Sequence, residues 1–428
     1  MITADKNWVH PVAIKNLDEA GFKKILKENL TPARAISTPE HLKGRAQNLK
    51  QIDRAFNSPG KHIFIYGDRG VGKTSLALTA AFLHQSADGE PILLTCGATP
   101  FLQTIRDAVR RVLPPGGRIN QKTTESRFKA AIGNVGYDRA FNITNGDVPP
   151  IETINDAVQL LKFAGEVHSS EPVIIFDEFD QLIDDDQKKC CAEIIKQVSD
   201  QGLNVRFIFC GIGNSLENLI GVHLSTGRYL SPIQLERLSH DARWEIIKAA
   251  SEALGVNVNH GHLVRIGQIS DGFPSYIHLI GEQLFWSMFD DEEYANFCLQ
   301  KHFEIGVSQA VSEAETTLKI IYENAVQKYS DDYEEVLWAV ADHQLLRRRT
   351  RDIYEKSYLR IMEERHPREP LERHSFSVRL NALKSQRHGS ILVGTRAGWY
   401  EFRENIVRGY VRLRAEKEGI QLGVEGYA

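Results

Sequence analysis

From residue 61 the chain alternates short runs of β-branched and aromatic residues with longer stretches of helical periodicity. His62 to Tyr66, Pro91 to Thr95, Val173 to Phe176 and Val205 to Cys210 carry no polar/apolar alternation, which predicts strands buried on both faces of a parallel sheet covered by helices. Residues 1–40 read as a lead-in, with one amphipathic stretch from Leu17 to Leu26 and breakers at Thr31-Pro32 and Thr38-Pro39; it is expected to pack on the first domain. The pattern weakens between Pro114 and Pro150, where glycine and proline accumulate, and an insertion or long loop is expected there. Beyond Ser239 helical patterns dominate (Asp241 to Leu254, His262 to Ile269, Ser275 to Met288, Glu313 to Tyr329), as in a helical lid. Three more follow (Tyr333 to Asp342, Arg351 to Glu364, Ser375 to Gln386), then short strands at Ser390 to Gly394 and Trp399 to Phe402, the order of a winged helix. The expected fold class is α/β: a parallel-sheet core over 41–236 with the 114–150 insertion, a helical lid over 237–329 and a winged-helix domain over 330–428.

Composition narrows the class. In 428 residues, 42% hydrophobic and 25% charged, there is enough apolar surface for full cores, so a disordered or fibrous chain is excluded. The apolar runs are far shorter than the roughly 20 residues a membrane-spanning helix needs, and no export signal precedes them. With five cysteines and no paired metal spacing, a cytoplasmic protein without disulfides or structural zinc is expected. Charge is uneven. The net is −4, yet residues 345–415 hold 15 Arg and 2 Lys against 8 acids, a surplus that points to a polyanion partner for that segment.

The strongest chemical signal is Gly67-Asp68-Arg69-Gly70-Val71-Gly72-Lys73-Thr74, between the strand His62 to Tyr66 and a helical pattern beginning at Ser75. Glycines let backbone N–H groups wrap phosphate oxygens, and the helix N-terminus adds its positive end. Lys73 is expected to reach the β- and γ-phosphates of ATP, and Thr74 to offer Mg²⁺ a hard oxygen. About 100 residues on, the strand Val173 to Phe176 ends in Asp177-Glu178. Asp177 would hold Mg²⁺ through water, and Glu178 would polarise the water that attacks the γ-phosphate. After the next strand, Asn214 is the candidate to sit beside that water, with Ser215 behind it, although Gly-Asn is also an ordinary turn. Arg228 precedes a strand-like stretch; it is a candidate arginine finger for a neighbouring subunit, or simply a surface arginine.

With these motifs the chain resembles the AAA+ ATPases, and within them the branch of origin-recognition and initiator proteins, with kinship to STAND-type switch ATPases. The resemblance covers about residues 40–290, and 330–415 more loosely. It makes Lys73 and Thr74 part of Walker A, Asp177 and Glu178 Walker B, Asn214 sensor 1 and Arg228 the finger. Gly44 and Arg45, in Leu42-Lys43-Gly44-Arg45-Ala46-Gln47, resemble a box that lines the adenine pocket in relatives. Where initiator relatives carry the sensor-2 arginine, this chain has Ser275, in Asp271-Gly272-Phe273-Pro274-Ser275-Tyr276, and a serine offers no charged fork. The Gly-Phe-Pro text is similar instead to the GxP element of STAND proteins. His278 is the possible substitute, or a packed histidine.

In the C-terminal segment, Phe376, Leu380 and Leu383 recur at helical spacing and leave Ser377, Arg379, Asn381 and Lys384 for an outer face suited to phosphates and base edges. Trp399, Tyr400 and Phe402 are expected in the core, with Arg387, His388 and Arg396 at the wing. These readings combine into an ATP- and Mg²⁺-dependent ATPase that engages DNA through its winged helix and forms a homo-oligomer through Arg228. The rival is a STAND-like scaffold whose nucleotide state governs assembly with an effector or loader protein, the wing then contacting protein.

Overall fold

The computed structural model of this chain describes residues 14–85, 91–112, 148–168, 171–222, 224–293, 296–326 and 332–424. Nearly all of the insertion expected at 114–150 lies outside these residues. The chain divides into two compact units, one of residues 35–68 and 72–236, the other of the chain up to residue 34, residues 69–71 and everything from 237 on.

The first unit is built on five strands: β1 (His62–Tyr66), β2 (Ile92–Thr95), β3 (Val173–Asp177), β4 (Arg206–Gly211) and β5 (Leu230–Gln234). Their order is β2-β3-β4-β1-β5 and all pairs are parallel. The three central strands, β3, β4 and β1, are buried along nearly their whole length, whereas the edge strands β2 and β5 alternate buried and more exposed positions. Phe64, Phe176, Phe207 and Phe209 form the centre, with the ring of Phe209 5.1 Å from Phe176 and 6.1 Å from Phe64. The helix Phe101–Val112 buries Phe101, Thr104, Ile105, Ala108, Val109 and Val112, the stripe that a 3.6-residue period turns toward a sheet. Parallel strands deliver all their C-terminal ends to one edge, so Gly67, Asp177 and Gly211 are gathered there although far apart in the chain. The amide of Gly67 donates to the Gly211 carbonyl at 3.3 Å and ties two of those ends together.

The second unit is helical up to residue 341. Of the lead-in, residues 35–40 fall in the first unit, as expected, whereas the described residues 14–34 fall in the second. The lead-in helix Glu19–Asn29, capped by Asp18, buries Phe22 and Leu26, and Phe22 stacks on Phe289 at 4.3 Å and meets Trp286 edge-on at 4.8 Å. The apolar stripe was legible in the sequence, but which apolar surface receives it is a tertiary choice. The expected helix Glu313 to Tyr329 corresponds to Thr316–Val326, and a further helix, Gln300–Glu313, precedes it across an extended Ala314. The helical pattern expected from His262 begins two residues earlier, as the helix His260–Ile269, where Asn259 Oδ1 caps the His262 amide at 2.8 Å.

The C-terminal part runs through the helix Asp332–Ala341, a strand β6 (Arg348–Arg349), a helical run over Thr350–Asp352, Ile353–Tyr358 (π-helical) and Leu359–Glu364, and the helix Arg373–Ala382. It then forms β7 (Leu392–Arg396) and β8 (Trp399–Phe402), which make an antiparallel sheet of order β6-β8-β7, and ends in the helix Ile406–Lys417. That last helix is absent from the sequence reading because Arg408 and Arg412 interrupt its apolar text, yet both are buried. They meet the buried Asp271 carboxylate, with Arg412 Nη1 at 3.1 Å and Arg408 Nε at 3.3 Å, and Arg237 Nη1 joins at 2.7 Å. The segments expected as separate domains, 237–329 and 330–428, fall in one compact unit and share this buried ionic centre. Among the described residues no helix is long and apolar enough to cross a membrane.

Candidate functional site

At the C-terminal edge of the first unit's sheet, the chain leaves β1 through a loop in which Gly67, Gly70 and Gly72 have φ of 159°, 82° and 95°. The last two are left-handed values that a side chain would strain, and Gly72 starts the helix Lys73–His84 from such a conformation. Lys73 Nζ folds back over the loop and donates to the carbonyls of Gly67 at 3.1 Å and Asp68 at 2.9 Å. Burial pushes its pKa down, against the pull of Cys210 and Asp177. A cation held in this way at a helix N-terminus, with few oxygens to neutralise it, is a receptor for an anion. Within the rest of the motif, Arg69 is exposed and Val71 buried. The Ser75 hydroxyl accepts the Ile36 amide at 3.1 Å, which ties the strap before the sheet to the phosphate-loop helix.

Thr74 Oγ1 donates to Asp177 Oδ2 at 2.6 Å, and Asp177 Oδ1 accepts the amide of Glu178 at 2.9 Å. The Walker A and Walker B residues, 103 positions apart, thus place a hydroxyl and a carboxylate side by side. Two adjacent hard oxygens are the donor set Mg²⁺ takes when phosphate and water complete its shell, so these residues fit the ion. Glu178 itself is exposed and left-handed, with φ 52°. Such a conformation is uncommon in a non-glycine residue and turns the chain sharply into the short helix Phe179–Gln181. The Cys96 amide holds the Asp177 carbonyl at 2.9 Å, and burial raises the Cys96 and Cys210 thiols, to about 12 and well above the usual range respectively. Neither thiol is ionised beside the site.

Other expected residues are placed differently. β4 passes at once into the helix Gly213–Val222, so Asn214 lies exposed in its first turn, with no bond to Lys73, Thr74, Asp177 or Glu178 among the described residues. Ser215 is buried and, with Asn218, Phe179 and Ile183, lines a cleft of about 200 Å³ beyond the Walker B turn. Gly44 is left-handed (φ 70°), and the buried Arg45 donates to the Glu236 carbonyl at 2.8 Å, its pKa lowered to about 10 by burial despite Glu236. Arg228 lies two residues before Leu230, which pairs with His62 at the start of β1. At about 3.3 Å per residue that is a strand length, roughly 16 Å, from the phosphate loop. It cannot serve its own nucleotide; it stacks on Tyr229 at 4.6 Å and pairs with Asp200 at 3.5 Å.

In the second unit Ser275 is half-buried near the start of the helix Pro274–Phe289. The buried His278 accepts the Thr31 amide at Nδ1, 3.2 Å, so it is a packed histidine that anchors the lead-in.

The C-terminal candidates require correction. Arg379 is not on an outer face: it is half-buried over the Tyr333 ring at 5.3 Å and 3.7 Å from Asp332. Lys384 lies 5.2 Å over the Tyr400 ring, and the Ser377 hydroxyl turns back to the Arg373 carbonyl at 2.8 Å. Apolar spacing places the core stripe correctly but does not say which flanking side chains fold back onto it. Asn381, Arg387 and Arg396 are exposed, as are His374 and Val378, which the sequence reading passed over. His388 is buried and bonds the Ala325 carbonyl. Trp399 was expected in the core but is half-exposed, while Tyr400 and Phe402 are buried. The period-two alternation of β8 was the signal available for that.

Residues 43–280 match the sequence model of an ATPase domain family, described as predominantly from Archaea. No curated protein matches the chain. Among solved structures it is similar in fold to a Walker-type ATPase of Pyrococcus abyssi (15% identity, TM-score 0.53, 89% of this chain and 99% of that one). It is also similar to the ORC2 protein of Aeropyrum pernix in its ADPNP–ADP complexes (13% identity, TM-score 0.50, 93% and 98%).

Proposed function

The chain belongs to the family of ATPase domains found predominantly in Archaea, and from that premise we propose that its nucleotide state controls engagement of DNA through the C-terminal part, read as a winged helix. The observation that carries the nucleotide half is the 2.6 Å bond of Thr74 to Asp177 beside the inward-folded Lys73. ATP is the substrate, and Mg²⁺, when bound, supplies charge neutralisation at the phosphates. Gly67 to Thr74 and Ser75 form the phosphate cradle, with Lys73 exchanging its two carbonyl partners for phosphate oxygens. Thr74 and Asp177 hold the metal, and Glu178 takes the proton of the attacking water. Gly44 and Arg45 act at one remove, since the Arg45 guanidinium is committed to the Glu236 carbonyl. Asn214 would act beside the water from the exposed first turn of its helix. For Arg228 the remaining role is in trans, to a second copy.

The ionic centre at Asp271 joins the Gly-Phe-Pro turn to the last helix and so supports transmission from one to the other. The same centre, with Ser275 in place of a sensor-2 arginine, favours the second reading, a nucleotide-switch scaffold whose C-terminal part meets an effector protein. DNA affinity with ATP, ADP or no nucleotide separates the two. Glu178→Gln is expected to keep ATP binding and to lower turnover by about 10²- to 10⁴-fold, whereas Lys73→Ala loses ATP itself. DNA affinity identical in all three nucleotide states would sink the coupling, and undiminished turnover in Glu178→Gln would remove that residue from the chemistry.

A further inference from the structure

Of the seventeen cations between residues 345 and 415, most are tied to a carboxylate or a buried carbonyl, so the count of charges overstates what is left for a ligand. Two exposed arginines differ. Arg349 and Arg396 have no acidic partner among the described residues, and both lie against the same ring, their guanidinium carbons 4.9 and 4.4 Å from the centre of Trp399.

The pairing register explains how. β8 is the central strand, with Trp399 opposite Arg349 of β6 on one side and Arg396 of β7 on the other. Residues directly opposite share a face of a sheet, and Tyr400 and Phe402 occupy the buried one. The outer face therefore carries a row, arginine–tryptophan–arginine, straight across three strands. The attraction of each guanidinium to the ring face offsets part of the repulsion between two like charges held close without a carboxylate between them. Stacking engages the flat face of the guanidinium and leaves its N–H edge free for a bidentate oxyanion.

We infer that this row is a clamp for two backbone phosphates of one nucleic-acid strand, so that the sheet face, with Arg349 and Trp399 as well as Arg396, makes the contact. The inference rests on the nucleic-acid reading above. The two guanidinium carbons are less than about 10 Å apart, which suits a strand carrying one phosphate per roughly 3.4 Å of axis. The turn between β7 and β8 has only Ala397 and Gly398, the latter left-handed at φ 74°, and so short a tip does not reach into a groove.

The test is fluorescence anisotropy of the full chain with a labelled duplex and with a single strand, over a series of salt concentrations. Arg349→Ala with Arg396→Ala is expected to weaken binding at least tenfold at low salt and to flatten the log–log salt slope by about 2, near 0.9 per lost phosphate contact. Trp399→Leu keeps both charges and is expected to keep the slope while weakening binding severalfold. Arg351→Ala, an exposed arginine paired with Glu355 at 2.8 Å, is expected to leave the slope unchanged. A double variant with the wild-type slope overturns the clamp and leaves the nucleic-acid reading standing. Wild type that binds neither duplex nor single strand overturns both, as does binding only to vesicles containing phosphatidylserine.

Discussion

The phosphate loop and the C-terminal arginine set use positive charge in opposite ways. At the loop one lysine, drawn inward by two carbonyls of its own motif, leaves its charge unneutralised at the edge of the sheet. In the C-terminal part many cations are present, and most are paired within the chain. Arg365 and Arg368 share the buried Glu335, Arg360 holds Asp342, and Arg408 and Arg412 close on Asp271. A count of charges over a window therefore measures ligand-binding potential at the first region and mainly internal cohesion at the second. Asp271, Asp332, Glu334, Glu335 and Asp342 all lie outside the window that made the segment look strongly basic.

The largest effect expected is at Asp271. Burial alone would raise its carboxyl, but Arg408, Arg412 and Arg237 outweigh burial and hold it below the usual carboxylate range, while burial pushes Arg408 down to about 9. Asp271→Ala leaves three guanidiniums around no anion and is expected to cost about 3–5 kcal/mol in chemical unfolding. Arg408→Met, which leaves Asp271 two partners, is expected to cost less. The reverse ranking would break the claim that the cluster depends on its one carboxylate.

The core handles a buried titratable group differently, by keeping it neutral. His62 accepts the Phe207 amide at Nδ1, 3.1 Å, and burial, helped by Arg206, lowers its pKa to about 3. The unfolded chain, with its histidine near the ordinary value of 6.5, takes up a proton that the folded chain refuses. Stability is then complete above pH 6.5 and lost toward pH 3, at about 1.4 kcal/mol per pH unit. His62→Phe should lose stability at neutral pH and flatten that slope, so that its deficit against the wild type shrinks as the pH falls; an unchanged slope would assign the acid sensitivity elsewhere.

The smallest structural effect is expected at Arg228, whose exposed pair with Asp200 contributes below about 1 kcal/mol. Arg228→Ala is expected to leave the melting temperature almost unchanged and to lower turnover only where wild-type turnover rises with protein concentration. Wild-type turnover per chain that is independent of concentration would remove the role in trans.

Legibility followed the same division. The five strands, the phosphate loop and the Asp177-Glu178 end of β3 were readable because each is a run of consecutive residues whose backbone chemistry is local. The helix Ile406–Lys417 was not, because its buried arginines look like a solvent face until Asp271 is seen beside them. Arg379 and Lys384 were assigned outward for a related reason: helical spacing tells which positions face the core but not whether a long cation will lie down on Tyr333 or Tyr400.

The sequence by itself determined the parallel nucleotide core and its phosphate loop, since glycine spacing, strand length and helix start are properties of neighbours in the chain. That Thr74 meets Asp177, that the helix Glu19–Asn29 joins the second unit, and which arginines remain to meet a ligand were settled by the tertiary structure alone. Those outcomes depend on partners tens to hundreds of residues apart, and a charge is neutralised by whatever the fold brings within a few ångströms of it.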